Sequence, residues 1–571
     1  MGTSSTKEVS KMKPLIRTPL LVAPLLALAI GSPAQAQSIT VSHQLLGQAI
    51  ALQFIAALAK SPASCSTLRL NPASGTNVAF INTQVSLAYS SQQAGLCGAI
   101  ALVDANGNPV ATTQVYRSEW ANALGGVAGA VTVEPLGNLL PGTTYRVMAA
   151  GAVVGSFSTA QMPIPRGVTT QVVDQTVKFE GLPQSALIPV AAINDLLHTF
   201  LSSSLHNPAV EKTAYALISK EVPHLASPHA RYNARVKKVA YTSTDAKGLP
   251  IVLSGLLVYP ENPDGSPFDF SKAGMVLGEH GAGDSSKPAV SSASTPDLIF
   301  GLLAAGKGHV FFAPDLIGFG ATATLPQSYL VTQDTATASQ DLLLAVRGYI
   351  NSRFANTPLG RDLLIVGGSQ GGFSAVAVMP YLARLADIKG VYAGEGPYNI
   401  QQVMASSIKV IAGQPRDAYS KYEDLSFIPS HLQALLDSYR AYQGFSFNEP
   451  DIFTGEALNP TFLRDFAAGK YALMRMHMGL NSLIDNKVVY NAPTAKVVLF
   501  HYSKDSLVPA QNTEALLAYL KNGTHQLASV SRGDCKETSL FTRLFLSFSH
   551  SKEKTHVVCG AYLLDGAVGA F

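Results

Sequence analysis

The stretch Gly367-Gly368-Ser369-Gln370-Gly371-Gly372 has the clearest chemical meaning in this sequence. It follows the apolar run 363–366 and precedes a segment of helical character, so a G-x-S-x-G motif stands between a strand and a helix. A serine hydroxyl is a weak nucleophile, and such a tight turn presents it unhindered to a base. Gly367 and Gly371 leave out side chains that would collide in the bend, and the N-terminus of the following helix favours developing negative charge. The pattern predicts Ser369 as the nucleophile of an acyl transfer.

A second stretch of small residues, Gly278-Glu279-His280-Gly281-Ala282-Gly283, follows another strand-like run. An oxyanion hole needs backbone N–H groups aimed at the substrate oxygen, and small residues let the backbone come that close. We expect the amide of Gln370 to supply one N–H group and that of Ala282 the other, with Gly281 as the next candidate. Because His280 precedes the serine in the chain, we assign it to ordering the loop rather than to proton transfer.

The acid and the base of such a site follow the serine in the order Ser, Asp or Glu, His. Asp505 leaves the end of the strand-like run 497–500 and is placed to orient a histidine, while Glu395, which follows an earlier strand, is the alternative. Three histidines follow Asp505 in the chain: His525, His550 and His556. His525 is expected to begin a strand and His550 lies in a polar segment, whereas His556 sits in a loop before a final apolar, helix-like segment. The predicted catalytic set is therefore Ser369, Asp505 and His556.

The four cysteines form an early pair, Cys65 and Cys97, and a late pair, Cys535 and Cys559. In an oxidising compartment we expect a disulfide within each pair, although the sequence leaves the two other pairings open. A bond between Cys535 and Cys559 would tether the loop that carries His556. No C-x-x-C or matching histidine spacing accompanies these residues, so the sequence predicts no metal site.

The first 36 residues have the three parts of an export signal. Lys11, Lys13 and Arg17 precede an apolar run over 20–30, and Ala34-Gln35-Ala36 supplies the small-x-small pattern. The run is too short to cross about 30 Å of hydrocarbon, and no other stretch is long and apolar enough to span a membrane. We therefore expect cleavage after Ala36 and a secreted or periplasmic protein.

The size and charge of the chain limit its class. Its 571 residues exceed what one hydrophobic core usually organises, so two or three domains are expected. Lys and Arg number 41 against 37 Asp and Glu, and a formal net charge of +4 gives no reason to expect nucleic acid binding. No nucleotide-binding loop, metal cluster or flavin fingerprint is visible, so no cofactor is implied.

Three regions follow the predicted export signal. Residues 37–160 contain a short N-terminal segment and then short alternating runs separated by turn residues, which predicts a small all-β sandwich with strands near 78–80, 85–89, 99–103 and 131–133. Residues 161–234 are largely helical in character and form a linker region. From 235 to 571, β-like runs alternate with helix-length segments, which is typical of an α/β domain with a mostly parallel sheet covered on both faces. Residues from about 399 to 491 interrupt this rhythm, and we predict an insertion above the sheet.

The α/β region has definite predicted elements. Strands are expected at 251–258, 274–277, 310–313, 363–366, 391–393 and 497–500. Helices are expected at 335–354 and 373–385.

From about residue 235 onward the chain resembles α/β-hydrolases, particularly the secretory lipases and esterases. The matching stretches, in order, are 255–260, 313–320, 367–372 and 505–509. The resemblance implies an α/β-hydrolase fold with its triad on Ser369, Asp505 and His556, and a cap formed by the insertion over an acyl pocket. Gly368 departs from the pattern, because lipases often have an aromatic residue or His before the serine, so lipase and esterase both stay open. Asp315 belongs to the resemblance but precedes the serine, and we interpret it as structural.

The β region is similar to bacterial Ig-like modules in the stretches 71–78, 104–108 and 140–145. This resemblance implies a spacer or adhesive domain.

The sequence thus favours an exported carboxylesterase or lipase that acts on a small-molecule or lipid ester. One alternative is a catalytically inactive hydrolase fold used for binding or adhesion, and the complete set of nucleophile, oxyanion loop, acid and base argues against it. The other is a hydrolase of peptides or polymeric esters. A hydrophobic content of 47% favours esters.

Overall fold

The computed structural model of the protein describes residues 65–121, 126–162, 165–205, 208–282, 288–417, 419, 428–484, 487–548 and 554–571. The predicted export signal at 1–36 and His550 lie outside these residues. Within them, no helix combines the length and the apolarity needed to cross a membrane.

The N-terminal part of the described chain is all β. Its strands are β1 (Ser66–Asn71), β2 (Val85–Ser91), β3 (Ile100–Val103), β4 (Pro109–Val110), β5 (Thr112–Ala121), β6 (Val127–Pro135), β7 (Thr144–Ala149) and β8 (Ala152–Ser158). They form two antiparallel sheets of four strands, in the orders β1-β2-β6-β5 and β4-β3-β7-β8. Leu87, Val131 and Phe157 are among the buried side chains of one shared core. These strands agree with the alternation seen in the sequence, while a separate all-β domain and its likeness to Ig modules stay predictions.

Two local features of this β part bear on the sequence predictions. The predicted runs 85–89, 99–103 and 131–133 overlap β2, β3 and β6, but 78–80 makes a single bridge, from Ala79 to Thr159. Cys65 is bonded to Cys97 with their Cα atoms 5.7 Å apart, which ties the start of β1 to the segment before β3.

In the part of the chain that the structure describes, the main sheet has ten strands. They are β9 (Thr169–Asp174), β10 (Leu187–Ile188), β11 (Asn233–Thr244), β12 (Pro250–Glu261), β13 (Met275–Glu279), β14 (Val310–Pro314), β15 (Asp362–Gly368), β16 (Asp387–Gly394), β19 (Asn491–Phe500) and β20 (Gln526–Arg532), while β17 (Phe453–Thr454) and β18 (Ala457–Leu458) form a separate hairpin. The order is β10-β11-β12-β14-β13-β15-β16-β19-β20, and β9 also pairs with β11. The strands from β14 to β20 in this order run parallel, and β11 and β12 are antiparallel. Each of the six predicted strands lies within or overlaps one of these.

The parallel strands are buried on both faces. Leu277, Phe312 and Ile365 belong to one core cluster, and their neighbours Val276 and Phe311 belong to the other. Successive side chains of a strand point to opposite faces, so an unbroken apolar run is what a sheet between two layers of helices requires. This burial is why the strands could be located from sequence as apolar runs.

Helices cover both faces of the sheet. In chain order they are α1 (Val190–Asn194), α2 (Leu196–Leu205), α3 (Pro208–Glu221), α4 (Pro223–Ala226), α5 (Asp297–Gly306), α6 (Thr332–Arg353), α7 (Gln370–Ala377), α8 (Met379–Leu382), α9 (Ile400–Ile411), α10 (Ile428–Tyr442), α11 (Glu449–Ile452), α12 (Pro460–Ala467), α13 (Ala472–Asn481), α14 (Ala510–Leu520), α15 (Leu540–Phe548), α16 (Lys554–Val557) and α17 (Gly560–Val568). Side chains of α6 and α7 lie in one core cluster, and side chains of α5 and α17 lie in the other.

The predicted helix at 373–385 is two short helices, α7 and α8. Pro380 stands at the start of α8. Because proline has no backbone N–H, it cannot donate to the carbonyl four residues earlier, and a continuous helix would lose that bond. The other predicted helix, 335–354, corresponds to α6 with its start three residues earlier.

The described residues of the region 161–234 form four helices and also contribute to the main sheet. Both β9 and β10 pair with β11, through Val172 against Val239 and Ile188 against Ala234. This part of the chain therefore extends the edge of the sheet before α1 begins.

The insertion at 399–491 contacts the β part of the chain. Met476 and Leu480 of α13 are buried with Ala128 of β6, and Trp120 packs against them. At Gly479 a Cβ atom would lie 2.4 Å from the Trp120 ring, so only glycine allows this approach. The insertion therefore packs beside the N-terminal β sheets. The insertion and these sheets belong to one compact unit, Leu58–Phe571.

Candidate active site

Ser369 occupies a strained turn between β15 and α7. Its backbone angles are φ 57° and ψ −122°, and a positive φ is uncommon for a residue with a side chain. A Cβ atom at Gly367 would lie 2.3 Å from the carbonyl oxygen of Gly371, and one at Gly371 would lie 1.9 Å from that of Glu279. A Cβ atom at Gly372 would lie 2.2 Å from the carbonyl oxygen of Gly394. Since all three obstacles are backbone atoms, the glycines are what make the turn possible.

Asp505 and His556 meet Ser369 in one hydrogen-bonded chain. Nδ1 of His556 lies 2.8 Å from Oδ2 of Asp505, and Nε2 lies 2.8 Å from Oγ of Ser369. Asp505 follows β19, and His556 lies in the single-turn helix α16 rather than in a loop. Both side chains are buried, with 3% and 5% of their surface exposed. The structure therefore brings together all three residues of the predicted set, drawn from positions 369, 505 and 556 of the chain.

The carboxylate of Asp505 is held in its ionised form. Burial opposes the charge, but the attraction of His556 and hydrogen bonds from His501 and His556 outweigh it and hold the pKa of Asp505 well below its ordinary value. Its Oδ1 accepts from the backbone N–H groups of Leu507 at 2.8 Å and Val508 at 3.1 Å. A fixed, charged carboxylate is what keeps an imidazole in one orientation.

The helix that carries His556 is fastened to the loop that carries Asp505. Oγ1 of Thr555 accepts from the N–H of Ser506 at 3.1 Å and lies 2.6 Å from its hydroxyl. Cys559 is bonded to Cys535, with Cα atoms 5.2 Å apart. Both disulfides therefore have the pairing expected from the sequence, and the late one lies three residues beyond His556.

The predicted oxyanion loop lies against the turn of Ser369. A Cβ atom at Gly281 would be 3.6 Å from the carbonyl oxygen of Gly368 and 4.0 Å from Cβ of Ser369. Ala282 is the last described residue of this loop. Gln370 is the first residue of α7, and the first N–H groups of a helix have no acceptor within it. These positions place Gln370 and the described part of this loop next to Ser369, and their role as an oxyanion hole stays a prediction.

His280 orders this loop through its ring. Nδ1 lies 2.8 Å from the carbonyl oxygen of Gly281, and Nε2 lies 3.2 Å from that of Asp315. Asp315 is itself buried and accepts from the N–H of Ser291 at 2.8 Å and from the hydroxyl of Ser254. Both residues thus have the structural positions that the sequence suggested.

The alternative acid and base lie in different surroundings. Glu395 follows β16 with φ 54°, and its N–H donates to the carbonyl oxygen of Phe500 at 3.0 Å. Burial, strengthened by repulsion from Asp505, raises the pKa of Glu395 well above its ordinary value despite the attraction of His556. His525 precedes β20, where its Nδ1 accepts from the N–H of Tyr490 at 3.3 Å, and it does not contact Ser369.

The sequence interpretation missed His501. Its Nε2 lies 3.1 Å from Oδ2 of Asp505, and its ring is 1% exposed. His501 precedes Asp505 by four residues and directly follows a strand, and these are the only signals that the sequence offers for it. A spacing of four outside a helix is common, so neither signal distinguishes His501 from the other histidines.

A large cavity opens beside Ser369 and His556, with a volume of about 1060 Å³. Apolar side chains from α2, α3, α4, α5 and α17, and from the residue between α3 and α4, line most of it: Leu196, Leu197, Leu201, Ile218, Val222, Leu225, Ile299, Phe300, Leu303, Leu563 and Leu564. The polar lining includes Glu279, Ser294, Thr295, Asp297 and Asp315. In the described residues, the helices of the region 161–234 cover this cavity, and 399–491 contributes none of its lining. A cap formed by the insertion stays a prediction.

In the described residues, no group of three or more His, Cys, Asp or Glu side chains is placed to hold a metal ion.

Comparison with known proteins agrees with this architecture. Residues 276–531 match the model of the Alpha/beta hydrolase family. The match and the strand order together support the α/β-hydrolase fold predicted for the C-terminal region. No curated protein matches the sequence.

Solved structures that resemble the chain include hydrolases of distant sequence. A ligand-bound form of the rice cell wall degrading esterase LipA from Xanthomonas oryzae is 20% identical, with 71% of this chain and 100% of that chain covered and a TM-score of 0.48. Candida antarctica lipase A is 11% identical, with 65% of this chain and 77% of that chain covered and a TM-score of 0.40. With TM-scores below 0.5, neither likeness bears on the substrate of this chain.

Proposed function

We propose that this protein is a serine hydrolase that cleaves carboxylic esters, with Ser369 as nucleophile, His556 as base and Asp505 as the group that orients the base. The observation that carries the proposal is the unbroken hydrogen-bonded chain from Asp505 through His556 to Ser369, at 2.8 Å for each contact. Burial of a histidine and an aspartate lowers the free energy of unfolding, because each side chain must be desolvated, and such buried groups cluster at functional sites.

The geometry supports an acyl-enzyme mechanism. Nε2 of His556 accepts the hydroxyl proton of Ser369 as its Oγ attacks the ester carbonyl carbon, and the imidazolium formed is stabilised by Asp505. The amides of Gln370 and Ala282, or of Gly281 in place of the latter, stabilise the negative oxygen of the tetrahedral intermediate. His556 then returns the proton to the leaving alcohol, and a water molecule activated in the same way hydrolyses the acyl-enzyme.

The cavity supports an ester with a large apolar group. Its volume of about 1060 Å³ lies slightly above the range of roughly 300–1,000 Å³ typical of ligand pockets. Leucine and isoleucine side chains such as Leu201, Ile218 and Leu563 line it, and burial of each additional CH₂ group contributes about 0.8 kcal/mol. We therefore infer a lipid-type or other bulky apolar ester in preference to a peptide, whose amides would require hydrogen-bonding partners along the cavity.

The disulfides support the proposal that the protein is exported. Bonds such as Cys65–Cys97 and Cys535–Cys559 persist in oxidising compartments. They agree with the export pattern of residues 1–36, which lie outside the described residues, and mature protein is expected to begin at Gln37.

Ester turnover by purified, folded variants tests the proposal. Ser369→Ala and His556→Ala should each cost nearly as much as the double variant, because the residues act as one unit, and Asp505→Asn should cost somewhat less. His525→Ala and Glu395→Gln serve as the controls for the alternative base and acid. Near-normal turnover in Asp505→Asn with collapse in Glu395→Gln would move the acid to the other strand. Absence of turnover in the unmodified protein would favour the inactive binding protein.

A further inference from the structure

His501 is a buried histidine that no step of the proposed mechanism uses. It follows β19 directly, four residues before Asp505, and its side chain is fully enclosed. Its Nδ1 lies 2.6 Å from Oγ1 of Thr513 on α14. Its Nε2 lies 2.8 Å from the carbonyl oxygen of Val508 and 3.1 Å from Oδ2 of Asp505. Both ring nitrogens therefore have fixed partners.

We propose that His501 is a positioning residue for Asp505, an inference that rests on the proposed function. Its Nε2–H donates to the carbonyl oxygen of Val508, and this bond joins the first residue of the loop 501–508 to the last. The N–H groups of Leu507 and Val508, at the far end of the same loop, bind Oδ1 of Asp505. His501 thus holds the segment that grips one carboxylate oxygen.

The same nitrogen also faces the second carboxylate oxygen. Oδ2 of Asp505 lies between Nδ1 of His556 at 2.8 Å and Nε2 of His501 at 3.1 Å. A positive N–H hydrogen near a buried carboxylate stabilises its charge, and a hydrogen bond to a charged group is stronger than one to a neutral group. Both carboxylate oxygens of Asp505 are therefore held, and this fixes the orientation of the carboxylate relative to the His556 ring.

The charged groups around His501 come from other strands and helices of the fold. Arg532, at the end of β20, donates from Nη2 to the backbone carbonyl oxygen of His501 at 3.0 Å and also pairs with Glu514 of α14. Glu395, after β16, and His556 of α16 both interact electrostatically with Asp505. Of these groups, Asp505 is the one that contacts the His501 ring, so loss of the ring acts first on that carboxylate.

Loss of the ring has two separable consequences. A carboxylate that is free to turn orients His556 less often, which lowers kcat while substrate binding in the apolar cavity is unchanged. A carboxylate with one fewer N–H beside it attracts the imidazolium form of His556 more strongly, so His556 protonates at higher pH. Because the base must be neutral to accept the serine proton, the acid limb of the pH profile should move to higher pH.

The experiment measures kcat, KM and the pH profile of ester hydrolysis for full-length His501→Leu, His501→Gln and Thr513→Val. His501→Leu should lower kcat by about 10- to 100-fold, the range expected from loss of one hydrogen bond to a charged group, with KM within about twofold. It should also move the acid limb to higher pH. His501→Gln, which keeps an N–H donor, should recover part of both effects, and Thr513→Val should produce smaller changes in the same directions.

Thermal denaturation of each variant separates this role from simple support of the fold. If the loss of turnover in His501→Leu equals the loss of folded protein and the acid limb stays in place, the inference is wrong. If His501→Leu does not fold, an unchanged acid limb in both His501→Gln and Thr513→Val overturns it. His525→Leu, a histidine outside the site, should leave kcat and the pH profile unchanged. If the unmodified protein shows no Ser369-dependent ester turnover, the proposed function itself is refuted. If the unmodified protein is active and His501→Leu has the same turnover and pH profile, this inference alone is refuted.

Discussion

The residue before the nucleophile gives a direct test of the apolar cavity as the acyl site. Gly368 lines the cavity, and its backbone does not have the positive φ that would require glycine. A Cβ atom there would meet its nearest neighbour, Cδ2 of Leu563, at 3.8 Å, an ordinary van der Waals distance. In Gly368→Leu the first carbon therefore fits without movement, and the rest of the side chain occupies space that we assign to the substrate.

The size of the effect follows from the displaced volume. The side chain of leucine contains about as many carbons as four CH₂ groups of an acyl chain, and at about 0.8 kcal/mol for each the loss is about 3 kcal/mol. This corresponds to a decrease of about 200-fold in kcat/KM for long-chain esters. Acetate and butyrate esters, which do not reach the displaced region, should lose far less.

The assay is hydrolysis of p-nitrophenyl esters of increasing chain length by the unmodified protein and by Gly368→Leu. Gly348→Leu is a suitable control, because Gly348 is exposed on α6 and a Cβ atom there meets no other residue within 4 Å. Equal losses for short and long esters would show that leucine disturbs the turn of Ser369 and not an acyl site. An unchanged profile for all esters would place the acyl chain elsewhere.

Three further changes test the supporting structure. The double variant Cys535→Ala, Cys559→Ala should be less stable by about 2–4 kcal/mol, and its ester turnover should be lower even at temperatures where circular dichroism reports folded protein. The control Cys65→Ala, Cys97→Ala should lose stability but keep its turnover. Full turnover without the late disulfide would contradict this expectation. Gly371→Ala should abolish turnover, since its Cβ atom would lie 1.9 Å from the carbonyl oxygen of Glu279, and normal activity would show that the turn is looser than described. Burial raises the pKa of Glu279 from 4.5 to about 8. The contribution of Glu279 to the free energy of unfolding is therefore greatest below pH 4.5 and decreases as the pH rises to about 8, by up to about 5 kcal/mol at 1.36 kcal/mol per pH unit. Denaturant unfolding of Glu279→Gln should therefore depend less on pH across this interval than that of the unmodified protein, and identical dependences would refute the assignment.

The residues proposed to carry the chemistry could be located from the sequence more readily than the parts that surround them. The turn at Ser369 is encoded locally, because three glycines are required by backbone atoms within 2.3 Å of their missing Cβ positions. Asp505 and His556 follow Ser369 in the order that the hydrolase topology imposes. Chain order alone left Glu395, His525 and His550 as alternatives, and the local setting of each residue decided between them. The parallel strands were visible because burial on both faces makes them continuously apolar.

The walls of the cavity could not be predicted in the same way. Leu196, Ile218 and Leu225 belong to helices between β10 and β11, and their approach to Ser369 depends on contacts more than 140 positions apart in the chain. The cap predicted for the insertion stays a prediction, and the helix α13 of the insertion packs against Trp120 of the β part. Apolar periodicity shows that a helix face is buried but does not identify the surface that buries it.

The most direct test of the central claim is active-site labelling with a fluorophosphonate, followed by mass spectrometric identification of the modified residue. The proposed mechanism predicts stoichiometric modification of Ser369, loss of ester turnover in proportion to the label, and a large fall in labelling rate in His556→Ala, because the base that removes the hydroxyl proton is gone. Ser369→Ala should take no label. Ester turnover that continues after complete labelling of Ser369, or turnover in Ser369→Ala equal to that of the unmodified protein, would contradict the claim that Ser369 is the nucleophile.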